Sequence, residues 1–228
     1  MKFTRIDHIP APSHPNSYTV ANDVNHIELK LLDWTAPVNG RMFHIVNFII
    51  NDIDTTAEYF EDNNQVLFEL TKYQFADPAK RFCFIPAVSS LFLVDIPTLS
   101  RIKFGNIGLN FVGNIFYGDK LLLVFNDYLM IIDLLTFRSV TYPFKDAAAI
   151  EWAYFVNPDL IRIIHFDSNE SSLFDLKTGQ ITETRSLARE GASSWVVRNY
   201  KLENKKNILQ VIWTGEDPAQ ALQFQVEE

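Results

Sequence analysis

Cysteine is nearly absent from this chain. Cys83 stands alone, so an intramolecular disulfide is excluded. Phe82 and Phe84 flank it in a β-like apolar run, which points to a buried, inert thiol. Long hydrophobic runs are lacking too. Residues 121–125 and 129–132 are strand-sized, far short of the roughly 20 residues of a membrane-spanning helix. The opening segment, Met1-Lys2-Phe3-Thr4-Arg5-Ile6-Asp7-His8, has no apolar core of the kind a signal peptide needs. These absences predict a soluble, cytoplasmic protein that does not enter a membrane.

A basic excess is also missing. Twenty Lys and Arg face 28 Asp and Glu, for a net charge of −8. An acidic surface repels phosphate backbones, which argues against nucleic acid and makes a basic protein the better-matched partner. Metal and nucleotide signatures are lacking as well. His8, His14, His26, His44 and His165 show no His-x-x-x-His or His-Glu-x-x-His spacing, and one cysteine cannot build a thiolate zinc site. His44 and His165 lie in apolar strand segments and read as satisfied structural histidines. Gly113 and Gly118 have the spacing of a phosphate-binding loop, but Asp119 stands where the lysine is required. An EF-hand register begun at Asp52 puts Ala57 at the obligatory glycine and Asn63 at the terminal glutamate, so it fails twice. No catalytic residue, metal site or cofactor is expected.

What the chain does have is apolar material, 47% of its residues, with 19 Phe among them. That is ample for a buried core in one domain spanning residues 1–228. Residues 1–43 form a segment containing Pro10, Pro12, Pro15 and Pro37, and a repeat occupies residues 44–226. In that repeat an apolar run ends in Asp and a Thr-containing turn follows. It reads Ile53-Asp54-Thr55-Thr56, Val94-Asp95-Ile96-Pro97-Thr98, Ile132-Asp133-Leu134-Leu135-Thr136 and Phe174-Asp175-Leu176-Lys177-Thr178-Gly179. From 54 to 95, 95 to 133 and 133 to 175 the spacings are 41, 38 and 42 residues, the period of propeller blades.

Each unit divides into three short apolar runs bounded by Asn, Asp, Gly or Pro, which predicts strands joined by tight turns. Runs of four or five apolar residues without strict alternation indicate strands buried on both faces. Residues 195–202, 208–214 and 221–226 supply three more strands, and residues 2–6 are placed to complete that last sheet and close a ring. Two short helices are expected. One begins at Thr55, with Thr55 and Glu58 as a capping box; the other runs from Asp146 toward Trp152. Residues 66–75 alternate too regularly for helix.

Over roughly residues 44–226 the pattern resembles WD-like and related β-propeller repeats. The shared elements are the Asp closing a strand and the Thr or Gly turn after it; the Gly-His and Trp-Asp dipeptides are absent. The resemblance implies an all-β, propeller-like ring of about five small blades whose loops bind other molecules, and it transfers no catalytic residue. The expected function is therefore a non-catalytic protein-binding module. Its most specific form is an inhibitor or immunity protein that neutralises a basic toxin or enzyme. The acidic stretch Asp52, Asp54, Glu58, Glu61 and Asp62 is the expected landing surface, with Trp152 and Trp195, which flank polar turns, as exposed anchors. Two other classes stay open. One is a glycan-binding or carbohydrate-active propeller built on turn carboxylates such as Asp52, Asp54, Asp127, Asp167 and Asp217; the other is a scaffold subunit of a larger assembly.

Overall fold

The structure is a computed structural model. It describes residues 2–8, 17–34, 44–59, 66–67, 72–86, 90–104, 110–144, 149–166, 170–186, 195–203, 206–213 and 222–227. In chain order its elements are β1 (Lys2–His8), β2 (Ser17–Ala21), β3 (His26–Trp34), β4 (His44–Ile50), β5 (Ile53–Asp54), the single helical turn α1 (Thr56–Tyr59) and β6 (Val66–Leu67). Then come β7 (Phe82–Pro86), β8 (Leu91–Asp95), β9 (Ser100–Phe104), β10 (Phe111–Tyr117), β11 (Lys120–Phe125), β12 (Tyr128–Asp133) and β13 (Ser139–Pro143). The last are β14 (Ile150–Asn157), β15 (Leu160–His165), β16 (Glu170–Asp175), β17 (Gln180–Ser186), β18 (Trp195–Glu203), β19 (Lys206–Trp213) and β20 (Leu222–Glu227). The chain is almost entirely β, and its strands pair antiparallel.

The sheets follow chain order: β2-β3-β4-β5 with β6 also on β4, then β7-β8-β9, β10-β11-β12-β13 and β14-β15-β16-β17. A further sheet runs β1-β20-β19-β18, so the N-terminal strand fills the fourth place beside the C-terminal strands, with Lys2 opposite Glu227 and His8 opposite Leu222. Sequential four-stranded meanders of this kind are the building unit of propellers. Two compact units are present, one of Met1–Ser13 with Tyr117–Glu228, the other of His14–Phe116.

Burial falls from the early strands of a sheet to the last. Residues 121–125 of β11 are all fully buried, and so are Cys83, Phe84 and Ile85 of β7. A fully buried Leu, Ile or Phe is worth about 1.5–3 kcal/mol, so these runs hold the sheets together. The fourth-place strands β13 and β17 are largely exposed. An exposed edge invites pairing with other chains, and each of these edges is blunted. Arg101 and Lys103 charge β9, Pro143 ends β13, a register shift kinks β17 opposite Leu173 and Phe174, and β5 is only two residues long.

The repeated Asp organises a turn. Asp133 Oδ1 accepts the amides of Leu135 (3.0 Å) and Thr136 (2.7 Å) and the Thr136 hydroxyl (2.9 Å), while Phe137 N–H donates to the Asp133 carbonyl at 2.8 Å. Asp175 does the same for Lys177, Thr178 and Gly179, and at Asp95 the Thr98 hydroxyl and Leu99 N–H take these parts. The fifth residue is left-handed each time: Leu99 at φ 58°, Phe137 at 57°, Gly179 at 69°. That conformation costs a non-glycine residue about 1–2 kcal/mol. Gly179→Ala, whose Cβ meets open space, is expected to lose about 1 kcal/mol, and Phe137→Gly to gain somewhat less because its half-exposed ring is given up. Thermal melts of the two variants, moving in opposite directions, check this.

Asp54 is not the first member of this series. The amide following each turn Asp donates back across the hairpin: Ile96 to Arg81, Leu134 to Asp119 and Leu176 to Asp159. In the first sheet the matching bond runs from Asn51 to His26 (2.8 Å), which places buried Ile50, not Asp54, at the Asp position. Asn51 and Asp52, at φ 49° and 66°, make a two-residue turn there instead, with Ile50 paired to Ile53.

Other expectations also shift. The helix near residue 56 exists, but its cap is Asp54, which accepts the Thr56 amide (2.9 Å); the Thr55 hydroxyl donates to the Phe48 carbonyl instead. The expected helix toward Trp152 is strand from Ile150 onward, because aromatic and β-branched residues paired against β15 outweigh the local alanines; residues 145–148 lie outside the described set. Of the 66–75 run, Val66–Leu67 is strand, and residues 68–71 lie outside the described set. Residues 73–77 take the first-strand place beside β7, through Phe84 N–H to Phe75 O (2.8 Å) and Asp77 N–H to Phe82 O (3.0 Å).

Candidate functional site

The surface that gathers three of the expected binding residues, Asp52, Asp54 and Glu58, lies at one end of the β2–β5 sheet. Two Asn-Asp turns meet there, Asn22-Asp23 between β2 and β3 and Asn51-Asp52 between β4 and β5. Asn22 Oδ1 accepts the amides of Val24 and Asn25, both at 2.8 Å, and so shapes its own turn. Asn25 is buried and acts as the tie. Its Nδ2 donates to the carbonyls of Ile96 (2.7 Å) and Pro97 (3.2 Å), and its Oδ1 accepts Asn51 Nδ2 at 3.0 Å. Asn51 Oδ1 in turn accepts the His26 amide at 2.8 Å. Three turns are locked by two side-chain amides.

The outward face of this end carries Asp23, Asp52, Asp54 and Glu58, all exposed. At the same two turns Val24 and Ile53 are 71% and 66% exposed, the most exposed aliphatic side chains described apart from Leu135. Arg101 donates to the Glu58 carbonyl in α1, and the Glu58 side chain is exposed. The Phe48 amide donates to Thr56 Oγ1 (2.9 Å), whose own hydroxyl donates to Asp54. That hydroxyl, followed by the Thr56 amide, holds the Asp54 carboxyl below the usual carboxylate range. Asp133 is lowered in the same way by the Thr136 amide and hydroxyl.

A depressed folded pKa contributes stability that is present above the unfolded value and lost as pH falls through the folded one. Both carboxylates should therefore stay ionised at a pH where ordinary Asp residues have begun to protonate. NMR titration of the side-chain carboxyl carbons is expected to show Asp54 moving back toward the ordinary range in Thr56→Val, while Asp133 stays where it was. An unchanged Asp54 would remove the hydroxyl from the explanation.

Asp52, Asp54 and Glu58 are all exposed, in the β4–β5 turn, on β5 and in α1 respectively, and Glu61 and Asp62 lie outside the described residues. Trp152 is corrected. It is fully buried in the middle of β14, its ring 5.2 Å from that of Tyr200, and it offers nothing to a partner. Trp195 begins β18, with its side chain outside the described set. Asp23, Val24 and Ile53 were not singled out from sequence, although the Asn-Asp dipeptide at residues 22–23 repeats the one at 51–52 and was the available signal.

Other chemistry-bearing groups have structural partners. Cys83 is buried, and desolvation followed by nearby Asp77 pushes its thiol far up, so it is a poor nucleophile. His165 Nε2 lies 2.9 Å from Ser172 Oγ inside the β14–β17 sheet. Buried Arg162 donates to Glu183 at 3.1 Å. Gly118 forms the left-handed turn between β10 and β11. Among the described residues no group of three or more His, Cys, Asp or Glu is placed to hold a metal, and no helix is long and apolar enough to cross a membrane.

Elsewhere a slot of about 460 Å³ is lined by Tyr142, Pro143, Phe144, Phe174, Gly179, Gln180 and Ile181. The rings of Tyr142 and Phe144 each stand edge-on to Phe174 at 5.1 Å. No carboxylate lines it.

No protein-family model matches the chain, and no curated protein matches it. Among solved structures, the computationally designed Ika8 protein is similar over 91% of this chain and 70% of its own, with 9% identity and a TM-score of 0.48. The N-terminal domain of Nup159 is similar over 69% of this chain and 46% of its own, with 16% identity and a TM-score of 0.40. At these scores neither likeness carries an argument, and the functional reading rests on the geometry of the chain itself.

Proposed function

We propose that this chain is a non-catalytic protein-binding module that engages a basic partner through the end of the β2–β5 sheet. The observation that carries the reading is the Asn25–Asn51 tie, which sets two turns 29 positions apart in sequence side by side. Four exposed carboxylates, Asp23, Asp52, Asp54 and Glu58, and two exposed aliphatic side chains, Val24 and Ile53, belong to these turns and the segment that follows them. Fixed turns present such a surface with little ordering cost on association, and surrounding charge speeds the encounter with an oppositely charged partner. An inhibitor or immunity protein that neutralises a basic toxin or enzyme is the most specific form of this reading. Five blades completed by the N-terminal strand are the finer architecture it assumes, supported by the sequential sheets and the β1–β20 pairing. A carbohydrate-active reading needs two carboxylates facing one pocket; Asp167 and Asp217 of that reading lie outside the described residues.

The test is affinity capture from native lysate at low and moderate salt, comparing the natural chain with an Asp23→Asn/Asp52→Asn/Glu58→Lys variant. Asn keeps the left-handed backbone at position 52 while removing its charge. A stoichiometric basic partner, retained at low salt, weakened at least tenfold by moderate salt and lost from the variant, is the expected result. Equal capture by both proteins at both salt concentrations would exclude this surface.

A further inference from the structure

We draw no further inference here: the strongest candidate, the aromatic slot between β13 and the β16–β17 hairpin lined by Tyr142, Phe144, Phe174 and Ile181, carries nothing because nothing in the structure shows what covers it.

Discussion

Trp152→Ala is expected to lower the unfolding free energy by about 3–5 kcal/mol, the range for deleting a large aromatic from a packed core. The indole has no exposed surface and sits where β14 pairs with β15, opposite Ile164. Tyr200 bridges it to Tyr154, at centroid distances of 5.2 and 6.1 Å. Tyr200 is itself fixed by its hydroxyl bond to Asn207 (2.8 Å), whose amide reaches the Phe155 carbonyl at 3.3 Å. Removing the indole therefore empties a volume that its neighbours cannot easily fill. Trp152→Phe keeps part of the contact and should lose less than half as much. Urea unfolding followed by far-UV circular dichroism measures both. A loss below about 1 kcal/mol for the alanine variant would be the value of a surface residue, and it would return Trp152 to the list of partner-facing anchors.

The second large effect is expected at Asn114, which is completely buried in β10. Its side-chain amide stands in for a neighbouring strand. Nδ2 donates to the Gln74 carbonyl (2.8 Å), and Oδ1 accepts the Gln74 amide (3.0 Å). Gln74 returns the contact by accepting the Phe116 amide at 2.9 Å through its own side chain. Leucine at position 114 has similar volume but leaves both main-chain groups of Gln74 without these partners. Each buried polar group so stranded costs about 1–3 kcal/mol, and partial water access at half-buried Gln74 puts the expected total near 2–3 kcal/mol. Because the two residues act as one clamp, Asn114→Leu and Gln74→Ala should be non-additive, with a coupling of about 1 kcal/mol or more in a double-mutant cycle. Simple additivity would mean that the two contacts hold residues 73–77 independently of each other.

The strands were legible in the sequence wherever their cause is local. The run at residues 121–125, the hairpin through Asn126-Asp127 and the Lys177-Thr178-Gly179 turn all appear within a residue or two of their expected places. Solvent burial on both faces and turn chemistry act over a few positions, so a short window contains the whole reason for the structure. The pairing of the N-terminal strand with the C-terminal sheet was also expected, since three strands at the end of the chain left a fourth place open. Asp54 misled for the complementary reason. It follows an isoleucine and precedes Thr, but the true members carry their Thr three positions after the Asp, and membership depends on a bond across the hairpin. That bond belongs to Asn51 and leaves Ile50 in the Asp position. The alanines before Trp152 favour helix locally, whereas from Ile150 onward pairing with β15 makes the chain strand.

By itself, then, the sequence determined the all-β class, the turns built by Asp-x-x-Thr, the failure of the phosphate-loop and EF-hand patterns and the acidic character of the surface, because composition and contacts a few residues apart suffice for each. Tertiary structure decided which residues share a surface. Trp152 is inward because both faces of β14 are covered from Ile150 to Phe155, with the indole against Tyr200, and no local feature of a tryptophan beside a polar segment says that both faces will be covered. Asp23 joined Asp52 because Asn25, buried and needing partners for a full amide, found them on Asn51 and the Ile96–Pro97 carbonyls. A buried amide must satisfy its hydrogen bonds, and where it finds them depends on the folded neighbourhood rather than on distance along the chain.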